Sequence, residues 1–522
     1  MNIVVGSGPA GVACASALLD RGLPVLMLDA ALDLEVEAAR HVKALASTAC
    51  SSWPEESVSV LTSRRRAISG DVPLKYVFGS DYPYRVPTGA VDIAQHGARA
   101  LRSYAVGGLS QAWGATILPY ADDDIADWPV RSAELNPHYE AAMRLMPLSA
   151  EDDDLSRVFP LFTTARASLA PSRQAEQLLN TLARHRDELR QRGITFGRAR
   201  LAIHASGTDR GCRLCGFCLN GCPYGAIYSA AHTLKQLLRR SGFIYRPGVV
   251  VQQVTEHTDR VVIVLVDLAA GRSEVIEGCR VFLGCGFLNT TALVMDALSP
   301  CAEPVRLPSS QAFLVPFWMD TSVRDVAAEA QHTLSQVYLH LDRREVTSRR
   351  VQLQFYTYND LLPLVLDKPL LKSLWRLIPS MKSRVIDRLI VVQGFLHSSD
   401  SDPLELTRSE HGRFMLRGQI SARTRATVKR VVRTLFRERS SIGGTVLLPL
   451  LTFSQPGQSF HNAGGFPMAA DTKPGQSDLL GRPNGLRRVH IIDAAAFPSV
   501  PATTITLTVM ANAHRIGSLA DG

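Results

Sequence analysis

The first thirty residues constrain this chain more than any other stretch. Ile3-Val4-Val5 reads as a short buried strand, and Gly6-Ser7-Gly8-Pro9-Ala10-Gly11 fits the pattern G-x-G-x-x-G. An Ala- and Leu-rich helix over Val12 to Arg21 ends at Gly22, and Val25-Leu26-Met27-Leu28 is a second strand closing on Asp29. In this setting Gly6 makes the tight turn, Gly8 lets backbone approach a pyrophosphate, and Gly11 lets helix pack on strand, while the helix N-terminus faces the phosphates. Asp29 follows Gly11 by 18 residues, where an acid reaches a ribose 2′-hydroxyl. The stretch predicts a dinucleotide site on a doubly wound α/β unit. By itself it does not separate FAD from NAD.

A chain of 522 residues, 46% hydrophobic and 20% charged, is long enough for several domains and too apolar for disorder. The 57 Lys and Arg exceed the 48 Asp and Glu, leaving a net charge of +9 that admits anionic partners without naming one. No RNA- or DNA-binding motif accompanies the charge. No run of 18 apolar residues is present, so no membrane-spanning helix is expected. Met1 opens directly into the first strand, which predicts no secretory leader and a cytoplasmic setting, with or without a peripheral place at the inner membrane.

Beyond the first unit, a glycine-rich stretch centres on Val106 to Ala115 and includes Gly107, Gly108, Ser110, Trp113 and Gly114. Helices are expected after Pro137 to about Leu145, over Gln174 to Gly193 and over Ala230 to Ser241. Strands are expected over Val249 to Val254 and Arg260 to Val266, and again at Val281 to Leu283 before the Gly284-Cys285-Gly286 turn. From Phe313 onward, segments at 313–317, 335–340, 351–358, 389–397 and 413–417 alternate in the manner of a largely antiparallel sheet. The expected fold is therefore α/β (α+β): a discontinuous Rossmann-like domain (1–130, 207–308, 456–522), a cap segment (131–206), and a substrate domain (309–455) with an antiparallel sheet and helices.

The C-terminal pattern carries a family resemblance. His461-Asn462-Ala463-Gly464-Gly465-Phe466-Pro467-Met468 precedes Val489 to Asp493, then Phe497-Pro498-Ser499-Val500-Pro501-Ala502-Thr503 and a helix opened by Thr506-Leu507-Thr508. With the N-terminal fingerprint and the Gly107-Gly108 loop, this resembles the glucose-methanol-choline (GMC) oxidoreductases. The resemblance implies FAD as the dinucleotide and oxidation of an alcohol C–H by hydride transfer to the flavin. It implies a cofactor site made of Gly6, Ser7, Gly8, Ala10, Gly11, Asp29, Ala30, Gly107, Gly108, Ser110, Trp113, Gly114, Val251, Gly284, Asp493, Ala494 and Ile505. It also makes His461 the base, a role that neutral imidazole suits near pH 7. Two departures matter. Thr504 stands where many relatives have Asn or His, and threonine orients an oxygen but cannot act as a base. Ala112 stands where flavin-linking relatives have His, so the FAD is expected to be non-covalent.

Cys212-x2-Cys215-x2-Cys218-x3-Cys222-Pro223 matches the bacterial ferredoxin spacing. Zinc fits less well, because a ribbon needs a longer spacer between knuckles, and disulfides are awkward at this density in a reducing compartment. The expectation is a [4Fe–4S] cluster, or [3Fe–4S] if one ligand is missing; unligated redox-sensing thiols are the other reading. Cys14, Cys279 and Cys285 read as core thiols. A cluster beside FAD implies a dehydrogenase passing electrons to an external acceptor, a quinone or a redox protein; the resemblance, which includes bacterial sugar dehydrogenases with clusters, implies a sugar or glycoside as the donor. The alternatives are an oxygen-using oxidase and a non-catalytic flavoprotein. Residues 361–389, Leu-rich with Trp375 and flanking Lys and Arg, could lie in a bilayer interface or pack as ordinary helices.

Overall fold

Ile3 and Val4 are fully buried, and a strand apolar on both faces belongs in the middle of a parallel sheet. In the computed structural model, which describes residues 1–63, 74–205, 207, 210–298, 303–359, 362 and 379–521, that is where it lies. In chain order the elements used below are β1 (Asn2–Val5), α1 (Pro9–Asp20), β2 (Val25–Leu28), β3 (Ile194–Arg198), β4 (Phe243–Arg246) and β5 (Arg280–Leu283). They continue with α2 (Phe287–Ala297), β6 (Ala312–Met319), β7 (Val337–Leu341), β8 (Val351–Tyr356), β9 (Leu389–Phe395), α3 (Ala422–Arg437), β10 (Gly444–Val446), β11 (Val489–Ile491) and α4 (Thr506–Leu519).

The parallel sheet runs β11-β5-β1-β2-β4. Val5 pairs with both Leu28 and Leu283, so the turns after β1 and β5 emerge side by side. This is the crevice at which open parallel sheets bind ligands. α1 starts at Pro9 rather than Val12 because proline at the first helical position loses no needed N–H. α4 packs along α1, and Arg21 Nη1 donates to the Gly517 carbonyl at 3.0 Å. The expected strands at 249 and 260 form a separate antiparallel sheet with a third strand, Arg272–Gly278, that sequence reading left out.

The second sheet runs β10-β6-β9-β8-β7-β3, and Thr452–Phe453 also pairs with β6. Every pairing in it is antiparallel, as the alternation predicts. Val351, Leu353 and Phe355 of β8 pack into a core with Val428, Val431 and Val432 of α3. Gln352, Gln354 and Tyr356 therefore take the opposite face. The segment 413–417, expected in this sheet, instead yields a strand, Phe414–Arg417, in a four-stranded one, where it pairs in parallel with Ile93–His96. The helix expected over 174–193 is two helices, broken at His185. Trp375 and most of 361–389 lie outside the described residues; Pro379–Ile386 is helical. Among the described residues no helix is long and apolar enough to cross a membrane.

Candidate active site

A cavity of about 450 Å³ lies between the crevice of the parallel sheet and the polar face of the antiparallel one. Its crevice wall begins with the β1–α1 turn. Gly6 has φ of +96°, and a Cβ at Gly11 would sit 1.8 Å from the Gly6 carbonyl oxygen, so turn and helix meet at backbone contact. Asp29, buried at the end of β2, accepts hydrogen bonds from Ser7 Oγ and from Tyr245 Oη. Burial raises its pKa to about 6 against the lowering effect of those bonds. Ser7 Oγ also accepts the Gly107 N–H at 2.8 Å, which locks the first turn to the Gly107-Gly108 loop. Ser110 clamps that loop in turn, donating to the Gly107 carbonyl at 2.6 Å and accepting the Ala230 N–H at 2.8 Å.

Two helices open onto this wall with no side chain capping their N-termini, α1 after Gly8 and α4 after Ile505, while the start of α2 at Gly286 is held by the Asp493 carboxylate. Uncapped N–H groups and the positive end of each helix dipole favour phosphate and other negative charge. Asp493 lines the cavity too, but its carboxylate is satisfied by protein: Thr290 Oγ1 at 2.6 Å, Gly286 N–H at 2.9 Å and Ala495 N–H at 2.9 Å. Its work is to fix the Gly286 turn. Bare helix ends, small residues and one buried acid at the end of β2 are the features that a dinucleotide pocket requires.

At the other end, His461 is pinned by its neighbours. Its carbonyl accepts the Ser310 N–H, its N–H meets Ser459 Oγ, and Asn462 bonds both Ser309 Oγ and the Gly457 carbonyl. The ring stacks on Phe395 with centroids 4.6 Å apart. Burial lowers its pKa to about 4, so it is neutral at pH 7. His461 Nδ1 and Thr504 Oγ1 are both buried without a protein partner, and both residues line the cavity. Facing them, Gln354 and Gln393 stand directly opposite each other on β8 and β9. Tyr356 Oη donates to Gln354 Oε1 at 3.2 Å.

Of the residues expected at the cofactor, Gly6, Ser7, Gly8, Ala10, Asp29, Gly108, Ser110, Trp113, Gly114, Gly284, Asp493, Ala494 and Ile505 line the cavity. Gly11, Ala30, Gly107 and Val251 do not. Gly11 and Gly107 shape the turns from behind; Ala30 and Val251 are buried in the core. Sequence reading missed Gln354, Tyr356 and Gln393, although polar residues at every second position of a strand with an apolar inner face were a usable signal. It also missed Lys75, for which the sequence offers no signal. Lys75 Nζ donates to the Trp113 carbonyl at 3.1 Å, and burial lowers its pKa to about 8 against the nearby Cys218 and Cys222 thiols.

The four clustered cysteines lie together behind Lys75. Backbone N–H groups of Leu214, Phe217 and Thr333 reach the sulfurs of Cys212, Cys215 and Cys218, and the Ala226 N–H reaches Cys222 Sγ at 3.3 Å. Such donors are suited to metal-bound thiolates. Their thiols are near enough to raise one another's pKa, although among the described residues no three His, Cys, Asp or Glu form a ready-made site for a single metal ion. The reading of Cys279 as a core thiol is corrected. It is exposed, because the end of the Arg272–Gly278 strand leaves it at the surface beside the N-terminal amine, 3.2 Å away. Cys285 is half-buried at the cavity and Cys14 is buried as expected.

Residues 396–513, which hold His461, Thr504 and the start of α4, match the family model for GMC oxidoreductases. The whole chain shares the fold of solved structures that it covers nearly end to end. One is a pyridoxine 4-oxidase from Mesorbium loti, at 13% identity and TM-score 0.61, covering 99% of this chain and 98% of that one. Another is a formate oxidase, and a third a formate oxidase of Aspergillus oryzae RIB40; each is 13% identical with TM-score 0.61, covering 99% of this chain and 97% of the other. At that identity the likeness is one of fold. No curated protein matches the chain.

Proposed function

We propose that this chain is a GMC-type, FAD-dependent oxidoreductase that oxidises the CH–OH group of a neutral, polyhydroxylated substrate such as a sugar or glycoside. The observation that carries the reading is the pair of buried, unpartnered polar atoms, His461 Nδ1 and Thr504 Oγ1, at one end of a cavity whose other end is the glycine turn and Asp29. FAD, held non-covalently along Gly6 to Ala10, Asp29 and the α4 N-terminus, supplies a two-electron acceptor for hydride. Neutral His461 takes the hydroxyl proton, and the Thr504 hydroxyl orients the substrate oxygen. The Gln354 and Gln393 amides offer donors and acceptors to further hydroxyls while adding no charge to the wall. The pyridoxine 4-oxidase and formate oxidases that share this fold support the oxidase form as a second reading.

We further propose that Cys212, Cys215, Cys218 and Cys222 hold an iron–sulfur cluster, [4Fe–4S] or [3Fe–4S], which would supply one-electron exit to an external acceptor. The four N–H donors to sulfur and the Lys75 cation support it. Iron and acid-labile sulfide in protein purified without air check it; protein lacking both rejects the cluster and leaves the oxidase form. The main reading is tested by anaerobic mixing of the holoenzyme with alcohols and sugars. Wild-type flavin should bleach, and His461→Ala should slow bleaching by about 10²–10⁴-fold. Bleaching of the variant at the wild-type rate would remove His461 as the base.

A further inference from the structure

The net charge of +9 includes one dense basic stretch. Residues 422–439 contain seven cations and one acid, a surplus of six within 18 residues. The acid, Glu438, is buried and neutralised by Arg192 and Arg343. The cations are on α3 and the first residue of the short helix, Arg439–Ile442, that follows it. The inner face of α3, Thr424, Thr427, Val428, Val431, Val432, Thr434 and Leu435, is buried against the antiparallel sheet. Arg423, Arg425, Lys429, Arg430, Arg433 and Arg437 all project from the outer face, over about 160° of the helix at 100° per residue.

Two features set this face apart from an ordinary solvated helix. Arg425, Lys429, Arg433 and Arg437 succeed one another at i, i+4 spacing. Like charges at that spacing repel, and surface helices usually alternate sign there. Among the described residues none of the six cations has an acidic partner within ion-pair distance; Arg430 bonds only the Val346 carbonyl and Thr427 Oγ1, and Arg425 lies over the Phe453 ring. Near one edge of the cationic arc, between Arg425 and Lys429 in projection, sits Phe436, 47% exposed, with the Arg439 guanidinium 5.0 Å from its ring centre.

We propose that this face of α3 is a docking surface for an anionic lipid bilayer, on which the protein rests peripherally. The cations match headgroup phosphates, and Phe436 is an apolar side chain placed to enter the interface beneath them. The rest of the exposed arc is Ala422 and Ala426, with no Ser, Thr, Asn, Gln or His to fix the polar groups of one protein partner. A fluid headgroup layer asks only for charge and a shallow apolar anchor. A nucleic acid would use the charge but not the anchor. The inference is independent of the flavin chemistry, so failure of either leaves the other standing.

Co-sedimentation of the holoprotein with vesicles tests it. Vesicles of phosphatidylcholine with about one third phosphatidylglycerol should bind the protein at low salt, pure phosphatidylcholine should not, and added salt should release it. Arg425→Glu with Lys429→Glu and Arg433→Glu should weaken binding by at least about 100-fold, from the roughly tenfold or less that each basic residue contributes. Phe436→Ser should weaken it several-fold at unchanged charge, and its unaltered melting temperature and flavin spectrum would show that the fold is intact. No binding to the anionic vesicles, or equal binding by the wild type and the triple variant, overturns the proposal. Tight binding to a DNA duplex that Phe436→Ser does not weaken, with vesicles left unbound, would assign the face to nucleic acid instead.

Discussion

His461 shows how a single residue takes its chemistry from where the chain puts it. A free imidazole would be partly protonated near neutrality and a poor acceptor of a proton below pH 6. Stacked on Phe395 and enclosed by the Ser310 and Asn462 contacts, it loses the hydration that the charged form needs, which brings its pKa to about 4. A base is active when unprotonated, so flavin reduction by substrate should stay level from pH 8 down to about 5. It should fall only as pH approaches 4. Stopped-flow reduction across that range checks this, and an acid limb near pH 6.5 would mean that His461 is solvated in the working enzyme or is not the base. Thr504 is the neighbouring constraint: it cannot share the proton, so Thr504→Val should lower the rate of reduction by about tenfold through lost orientation while leaving the acid limb in place.

Among the elements, the turn from β1 into α1 is the least tolerant of change. A Cβ at Gly11 would sit 1.8 Å from the Gly6 carbonyl oxygen, which is backbone and cannot swing aside. Gly11→Ala should therefore displace the N-terminus of α1 from the crevice. Protein carrying it should purify with little FAD and melt several degrees lower, in line with the about 1–3 kcal/mol typical of overpacking; full FAD content would refute this account. This element could be read from the sequence because strand, glycines, helix and acid are consecutive. The antiparallel sheet was nearly as legible, since Val351, Leu353 and Phe355 alternate with polar residues. What could not be read was the meeting of remote segments. Lys75 reaches the cavity only because its chain crosses behind Trp113, and the strand at 414–417 pairs with residues more than 300 positions earlier. The run of four cysteines was plain to see, and the fold brings their thiols close enough to interact, yet spacing along a loop does not settle how the sulfurs point.

At the scale of the whole molecule, the buried ionisable groups predict how the fold responds to acid. Nine of the 14 histidines have pKa values lowered mainly by burial: His138, His204, His232, His332, His340, His397, His461, His490 and His514. Each binds its proton in the unfolded chain near pH 6.5 and in the folded one only at lower pH. Between those values the unfolded state holds more protons, so stability falls as pH falls. Asp29, Asp124, Asp153 and Asp493 act in the opposite sense. Burial raises their pKa values, the folded state keeps protons that the unfolded state has released above about pH 4, and their contribution is lost as pH rises toward 6. Nine groups against four leave a net loss of stability on acidification between about pH 6.5 and 4. Urea midpoints of the holoprotein should be lower at pH 5 than at pH 7.5, with His340→Asn reducing the difference because that ring is buried with neither nitrogen paired. A midpoint unchanged or higher at pH 5 would show that the carboxyl groups dominate, and with them the opposite pH optimum for stability.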